Sequence, residues 1–241
     1  MAETDKISQL RNLIEQSSST VFFGGAGVST ESGIPDFRSQ DGLYNQQWDY
    51  PPETIISRSF FNAHPEEFYR FYRERMIFPD AEPNQCHLKL AELEGRGKLD
   101  AIVTQNIDGL HQKAGSKNVL ELHGSVLRNH CMNCGAPYGL DAVVDDPSPV
   151  PHCPACGGII KPDVVLYEEP LDEQVMLQAV TAISRADLLI VAGTSLVVWP
   201  AAGFLEYFKG DALVIVNLSP TPADARADLL IDEPVGKVFD W

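Results

Sequence analysis

Short apolar runs alternate with amphipathic helical patterns along most of the chain. The runs, each of strand length, lie at 21–23, 101–104, 119–122, 164–166, 188–191, 213–216 and 229–231. Apolar residues at helical spacing fill 3–16, 85–94 and 171–184, and a further helix is expected after Pro200. Strands that are apolar throughout are buried on both faces. The pattern therefore predicts an α/β fold in which helices cover a parallel sheet on both sides.

Two stretches interrupt this alternation. Residues 41–84 are rich in aromatic residues and predict short helices and loops, which either pack among themselves or cover a ligand site. Residues 128–160 carry two Cys-x-x-Cys pairs. With 241 residues, the chain suits one large domain with a small inserted module.

A glycine-rich turn follows the first apolar run. Gly25, Ala26 and Gly27 allow a sharp turn that approaches a ligand closely, and such a turn after a strand suits a pyrophosphate. The dinucleotide-binding fingerprint needs a third glycine where this chain has Thr30. On the glycines alone, nucleotide binding and a plain tight turn both stay open. The next segment, 35–38, combines a proline, an acid, an aromatic ring and an arginine, which favours a lid over a ligand.

The other strands also end in small or polar residues, at 105–108, 123, 193–195 and 217–219. Ligands of parallel sheets bind beyond the carboxyl ends of the strands, so these residues are expected to converge on one site. Asn106 and Asp108 can hydrogen-bond ribose hydroxyls or a carboxamide, although a turn with a helix cap explains them equally. His123 is a candidate general base, with a structural histidine as the alternative.

Four cysteines predict a metal site. Cys131 and Cys134 form one pair, Cys153 and Cys156 form the other, and eighteen residues separate the pairs. This spacing fits tetrahedral zinc with four thiolate ligands and no open position, which is a structural site. Cys86, alone in a helical pattern, is expected to be a buried small hydrophobe.

The charge of the chain narrows the choice of partners. A net charge of −16 and a pI near 4.6 disfavour nucleic acid and anionic membranes, but are compatible with lysine-rich segments of other proteins or with solubility alone. No run has transmembrane length, and the N-terminus lacks the apolar core of a signal peptide. We expect a cytoplasmic monomer that binds neither nucleic acid nor membrane.

Several long motifs together resemble the sirtuins, which are NAD-dependent protein-lysine deacylases. The motifs are GAGVSTESGIPDFRS at 25–39, TQNIDGLHQKAGS at 104–116, ELHGS at 121–125, GTSLVVWPA at 193–201 and VNLSPTP at 216–222, together with the cysteine pairs. The resemblance covers nearly the whole chain. It also accounts for the missing third glycine, because this family holds NAD in an atypical manner.

The resemblance implies a Rossmann-type domain from residues 1–40, 85–127 and 161–241. A small domain would consist of a helical part, 41–84, and a zinc-binding part, 128–160. NAD, as co-substrate, and an extended acyl-lysine peptide would meet in the cleft between the two domains. The expected products are free lysine, nicotinamide and O-acyl-ADP-ribose, and acetyl is the main acyl group expected.

The resemblance also implies roles for particular residues. His123 would be the base that acts on a ribose hydroxyl, and Asn106 would belong to the catalytic nicotinamide pocket. Phe37 would shield the reacting ribose from water. Contacts to NAD are expected from Gly25, Ala26, Gly27, Glu31, Asp36, Phe37, Arg38, Tyr44, Gln105, Ile107, Asp108, Gly193, Thr194, Ser195, Asn217, Leu218, Ser219 and Val235. The peptide would add as a strand between two edges that consist of Val165, Leu166, Tyr167, Val197, Val198 and Trp199.

Three alternatives stay open at the level of sequence. Mono-ADP-ribosyl transfer to proteins would use the same NAD site, and a non-catalytic binding module would use no base. Desuccinylation is suggested by Tyr72 and Arg75, whose spacing one sirtuin class uses to hold acidic acyl groups. The chain also has Tyr167-Glu168-Glu169 where the family often has Phe-Gly-Glu, which leaves the peptide contacts there less certain.

Overall fold

The computed structural model describes residues 3–37, 42–45 and 48–241. Its strands in chain order are β1 (Thr20–Gly24), β2 (Ala101–Thr104), β3 (Val119–Glu121), β4 (Asn129–Cys131), β5 (Pro137–Tyr138), β6 (Ile160–Pro162), β7 (Leu188–Ala192), β8 (Ala212–Val216) and β9 (Leu229–Ile231). Its α-helices are α1 (Glu3–Gln16), α2 (Pro52–Ile55), α3 (Arg58–Ala63), α4 (Pro65–Arg75), α5 (Gln85–Gly95), α6 (Leu110–Lys113), α7 (Asp141–Val144), α8 (Glu173–Arg185) and α9 (Val235–Val238). Within these ranges, no helix combines the length and the apolar character needed to cross a bilayer.

The described residues form one six-stranded sheet in the order β3-β2-β1-β7-β8-β9, with every neighbouring pair parallel. Successive side chains of β1 enter two different cores. Phe22 packs on one face with residues of α1, α5 and α9, whereas Val21 and Phe23 pack on the other with residues of α8. Burial on both faces explains why the strands are apolar throughout. The predicted parallel sheet with helices on both sides is confirmed.

Two of the predicted elements differ in the structure. The run 164–166 is irregular chain outside the sheets, because Val164 and Leu166 pack with the aromatic residues of the interrupting segments while Val165 packs with residues of the large sheet. An apolar run between two cores has the same pattern as a buried strand. The helix expected after Pro200 consists of 3₁₀ turns over Ala201–Tyr207.

The two interrupting segments pack around one aromatic core. Helices α3 and α4 contribute Phe61, Phe68 and Tyr69, and the residues beside the cysteine pairs contribute Ile160. Among the described residues, the segment with the cysteine pairs forms a three-stranded antiparallel sheet in the order β5-β4-β6. The Tyr69 hydroxyl donates to the Ile160 carbonyl and so joins α4 to β6.

Two buried histidines lie where α5 meets α6. His87 Nδ1 accepts from the Asn84 amide, whose side chain caps α5 in return. The His87 and His111 rings lie 4.7 Å apart, and both residues are buried. Burial lowers the pKa of His87 to about 4, and it places the pKa of His111 well below its usual value. Both rings are therefore neutral at pH 7.

We predict that acidification destabilises the fold through His87. The unfolded chain protonates this residue below about pH 6.5, whereas the folded protein protonates it only near pH 4. The stability that a neutral His87 contributes is thus present above pH 6.5 and is lost as the pH falls towards 4. Between pH 7 and pH 5 the loss is about 2 kcal/mol in the free energy of unfolding.

Urea unfolding of the wild type and of His87→Gln across this pH range measures the effect. All other titrating groups are shared, so the difference between the two pH slopes isolates the His87 contribution. Equal slopes in the two proteins would contradict the assignment.

Candidate active site

A cavity of about 1120 Å³ lies beyond the carboxyl ends of β1, β2, β7 and β8, between the large sheet and the aromatic core of the inserted segments. Its lining includes the glycine turn, residues 105–108, His123, residues 193–195 and residues 217–219. The structure therefore brings the predicted strand ends to one place. Sites for a single drug-sized ligand are about 300–1,000 Å³, so this volume accommodates more than one small ligand.

The glycine turn packs directly against the turn after β7. The Gly27 amide donates to the Gly193 carbonyl at 2.8 Å, and a Cβ on Gly27 would lie 2.8 Å from Gly193 Cα. Gly193 has a φ of +59°, and a side chain there would overlap the Val28 amide. Glycine is required at both positions. The turn continues into 3₁₀ turns at Ala26–Val28 and Thr30–Ser32, whereas the dinucleotide fingerprint opens a helix.

The floor of the cavity is a hydrogen-bonded network centred on Ser29. Its hydroxyl donates to Asp108 Oδ2 at 2.7 Å and accepts from Asn106 Nδ2 at 3.0 Å. His87 Nδ1 is an acceptor, so the neutral ring carries its proton on Nε2, which faces Ser29 Oγ at 3.5 Å. Asp108 Oδ1 also accepts from the Leu110 amide. Asp108 therefore forms an Asx turn ahead of α6, whose N-cap is Gly109, and is also a fixed acceptor at the cavity.

His123 presents one ring nitrogen to the cavity. Its Nδ1 lies 2.9 Å from the Gln105 carbonyl, which can only accept, so Nδ1 carries the proton and Nε2 is the basic atom. Burial lowers the pKa of His123, and the bond to Gln105 partly opposes that shift. The next residue, Gly124, has a φ of +72°, and a side chain at this position would overlap the Asp163 carbonyl, so glycine is required here. The geometry provides a neutral base at pH 7.

The described part of the predicted lid, residues 35–37, lines the cavity next to the glycine turn. Phe37 and Tyr44 pack edge to face, with ring centroids 5.5 Å apart, and the Tyr44 amide donates to the Phe37 carbonyl. The hydroxyls of Tyr44 and Tyr167 lie 2.8 Å apart. Arg38, also expected to contact NAD, lies outside the described residues.

Most of the other predicted residues line the cavity. They are Asp36, Gln105, Ile107, Thr194, Ser195, Asn217, Leu218, Ser219, Val235, Val165, Leu166, Val198, Trp199 and Arg75. Gln105 Nε2 also donates to Thr194 Oγ1 at 3.0 Å, which connects the ends of β2 and β7.

Three predicted residues lie elsewhere among the described residues. The Glu31 carboxylate accepts from the Gly236 amide at the start of α9, so it holds the turn that carries Val235. Val197 faces solvent. Tyr72 is fully buried in the aromatic core, stacked 5.5 Å from Phe68, because its position on α4 faces that core.

The sequence analysis missed two parts of the site. Ser29 completes the polar floor, and His87 lies behind it against the Ser29 hydroxyl. Met76, Ile77 and Phe78 form an apolar wall after α4. In the sequence these three residues are indistinguishable from ordinary packing.

The four cysteines of the predicted metal site lie together, as expected. Their Sγ atoms lie within 4.8 Å of one another, and the four residues are free thiols. Gly135 and Gly157 follow the two pairs with φ of +71° and +72°, which permits the tight turns. Four converging thiols without a disulfide fit a tetrahedral metal ion.

Comparisons with known proteins agree with this geometry. The model of the Sir2 family matches residues 25–200. An NAD-dependent protein deacetylase of Clostridium acetobutylicum is 58% identical over 238 residues, which are 98% of this chain and 97% of that protein. The corresponding protein of Staphylococcus aureus is 43% identical over 234 residues, which are 96% of each.

Solved structures agree as well. A Sir2 variant with a deacetylated peptide and 3′-O-acetyl ADP ribose is 42% identical, with a TM-score of 0.91 over 97% of this chain and 96% of that chain. A Sir2 protein bound to an acetylated peptide, also 42% identical, has a TM-score of 0.86 over 97% of this chain and 95% of that one. The family model matches more than half of the chain and these relatives span almost all of it, so the chain belongs to the Sir2 family.

Proposed function

We propose that this protein is an NAD-dependent protein-lysine deacetylase. The observation that carries the proposal is that the basic nitrogen of His123 and the Ser29-Asn106-Asp108 network border one cavity, next to the glycine turn. The relatives named NAD-dependent protein deacetylase, at up to 58% identity, support it. A binding module would need no neutral base at this position.

NAD would extend along the strand ends. The turn at 25–27 and residues 193–195 would hold the phosphates and a ribose, and residues 217–218 with Val235 would hold the adenosine. Asn106 and Asp108 would bind the carboxamide of nicotinamide, because Ser29 fixes the orientation of both side chains. Of these residues, Asp108 has its carboxylate already oriented by two hydrogen bonds.

Bound NAD supplies an ADP-ribose group that accepts the acyl group while nicotinamide leaves. The chain's own residues would control this transfer. His123 Nε2 would take a proton from a ribose hydroxyl, since Nδ1 is held by the Gln105 carbonyl. Phe37 would exclude water from the reacting face until the acyl group has bonded to the ribose. One water molecule would then be consumed to release the lysine amine, and free lysine, nicotinamide and O-acetyl-ADP-ribose would be the products.

The acyl-lysine peptide would approach from the other side of the cavity. Segment 165–167 and residues 198–199 line that side, and an added strand would pair with backbone there. Backbone pairing reads little sequence, so a broad range of protein targets is expected. The same arrangement would admit acyl groups other than acetyl, which makes deacylase the wider description. Mono-ADP-ribosyl transfer to a protein is the alternative use of the same site.

We predict that His123→Ala lowers the deacetylation rate by about 10²–10⁴-fold, as expected for the loss of a positioned general base. Incubation with NAD and an acetyl-lysine peptide, followed by mass spectrometry and a nicotinamide assay, measures it. In the wild type, nicotinamide release should depend on the peptide, and activity should fall on acidification only below about pH 6.5, because the pKa of His123 is lowered.

The same assay separates the alternatives. A protein that gains the mass of ADP-ribose without peptide deacetylation would favour the transferase, and neither product would indicate a binding module. Full activity in folded His123→Ala would exclude the proposed base.

A second candidate activity, on acidic acyl groups, has one supporting observation. Arg75 lines the cavity, and its Nε is buried without a hydrogen-bond partner among the residues that the structure describes. Its guanidinium lies 5.4 Å from the Trp48 ring. A carboxylate on the acyl chain would provide the missing partner. Tyr72 would take no part, since it does not line the cavity.

We predict that Arg75→Met lowers kcat/KM for a succinyl-lysine peptide by about tenfold or more, the loss expected for one hydrogen bond to a charged group. Activity on the acetyl peptide should change far less. Parallel assays with both peptides measure the ratio, and Tyr72→Phe, in the same helix, is the control that should leave it unchanged. Equal losses on both peptides would dismiss the acidic-acyl role.

We propose that the four cysteines bind structural zinc. Cys131 and Cys153 belong to the core that closes the far side of the cavity, whereas Cys134 and Cys156 are exposed, and none of the four lines the cavity itself. Cys131, Cys134, Cys153 and Cys156 would each supply a thiolate, and the ion would fix the two turns relative to β4 and β6.

We predict that Cys153→Ser reduces bound zinc from about one ion per chain towards none and lowers Tm, because binding of a structural ion contributes to folding free energy. Elemental analysis and thermal unfolding measure the two effects. Cys86→Ala, at the buried cysteine outside the cluster, should retain zinc. Full zinc content in Cys153→Ser would contradict the assignment.

A further inference from the structure

A buried lysine lies between the cysteine cluster and the peptide side of the cavity. Lys161, in β6, is 4% exposed. Its Nζ donates to the carbonyls of Pro162 and Val164 at 3.0 and 3.1 Å and to Glu169 Oε2 at 3.2 Å. An ammonium group is costly to bury unless its donors are satisfied. Here three acceptors satisfy them, and two of these lie at 164 and 169, on either side of the segment that lines the cavity.

Glu169 extends this cluster to the helical segment. Its Oε2 also accepts from the Leu166 amide at 2.8 Å, and its Oε1 accepts from Arg58 NH1 at 2.7 Å. The Arg58 amide in turn donates to the Tyr167 carbonyl at 3.0 Å. The ionic side chains of Lys161 and Glu169 thus hold the backbone at 164 and 166, and the backbone amide of Arg58 holds it at 167.

The same segment is bonded directly to the proposed base. The Val165 amide donates to the His123 carbonyl at 3.0 Å. The Val164 carbonyl, held by Lys161, and the Leu166 amide, held by Glu169, flank this bond. The distance between the peptide side of the cavity and His123 is therefore set on one side by the His123 backbone and on the other by the ionic cluster.

We propose that Lys161 and Glu169 are positioning residues for the acyl-peptide substrate, and that they hold segment 164–167 in register with His123. The inference rests on the proposed deacetylase function. NAD would be held by the turns after β1 and β7. In the described part of the chain, the hydrogen bonds of Lys161 and Glu169 go to neither turn, so the cluster acts on one substrate and not on the other.

Removal of the ammonium would leave the Val164 carbonyl without its partner, while Arg58 would still neutralise Glu169. The wall segment would then be held less firmly at the point where the peptide pairs. We expect Lys161→Met to raise KM for the acetyl-lysine peptide by about tenfold or more, from the loss of hydrogen bonds to a charged group. The KM for NAD should stay within about twofold of wild type, because no NAD contact is lost.

Four variants make the test specific. Lys161→Arg keeps a cation, so its KM for the peptide should lie close to that of the wild type. Glu169→Gln keeps the shape of the side chain but removes its charge, so its KM for the peptide should rise. Arg58→Gln removes the outer partner, which is partly exposed, and should give a smaller rise. The matched control is Lys98→Met, at a lysine whose ammonium also donates to backbone carbonyls, but to those of Glu15 and Ser17 and not to the segment 164–167.

Steady-state kinetics with each substrate varied in turn, together with thermal unfolding of each variant, decides the question. A selective rise in peptide KM in the folded variants, with rescue by Lys161→Arg, supports the proposal. A peptide KM within twofold of wild type in folded Lys161→Met, or equal rises for NAD and peptide, overturns it. If Lys161→Met does not fold, Glu169→Gln and Arg58→Gln decide by the same criteria. If the wild type itself releases no nicotinamide in response to the peptide, the proposed function fails instead.

Discussion

The backbones of two glycine turns are in direct contact, and this contact sets the geometry of the whole cavity. Gly27 lies against Gly193 at a separation that excludes a Cβ on either residue. Strand β1 lies between β2 and β7 and pairs with both. The turn after β1 therefore fixes where the ends of these two neighbouring strands lie relative to each other. Gln105 then reaches across to Thr194, and its carbonyl orients the His123 ring. One close approach of main chains thus determines where a side chain two strands away presents its basic nitrogen.

This dependence explains what the sequence could and could not predict. Strand ends converge in any parallel sheet, so the positions of Asn106, Asp108 and His123 near the glycine turn followed from topology. Side-chain direction did not follow. Tyr72 and Arg75 lie three residues apart on α4, a spacing that predicts one shared face. However, α4 is packed on two sides, so the Tyr72 ring enters the aromatic core while the Arg75 side chain reaches the cavity. The run 164–166 showed the same limit: apolar residues between two cores cannot be distinguished from a strand by pattern.

The hydrogen-bonded network on Ser29 contains a single carboxylate, although the chain carries a net charge of −16. Burial keeps the pKa of His87 and of His123 low, so both rings are neutral hydrogen-bonding groups at pH 7. The network on Ser29 consists of a hydroxyl, an amide, a neutral imidazole and one carboxylate. Such a floor discriminates by the placement of donors and acceptors, and a ligand amide matches it better than a second charge. The acidic surface and the neutral floor thus have separate roles.

The cysteine cluster and the cavity wall at 164–167 follow each other in the chain, which gives the cluster a physical connection to the proposed catalytic site. The second cysteine pair leads into β6, β6 carries Lys161, and Lys161 holds the start of the segment that bonds to His123. Tyr69 anchors the first residue of β6 to α4 from the opposite side. A metal ion that fixes the cysteine turns would therefore also fix β6 and the ammonium that follows it. A structural ion with no open coordination position can influence substrate binding in this way, through the rigidity of the short strand between them.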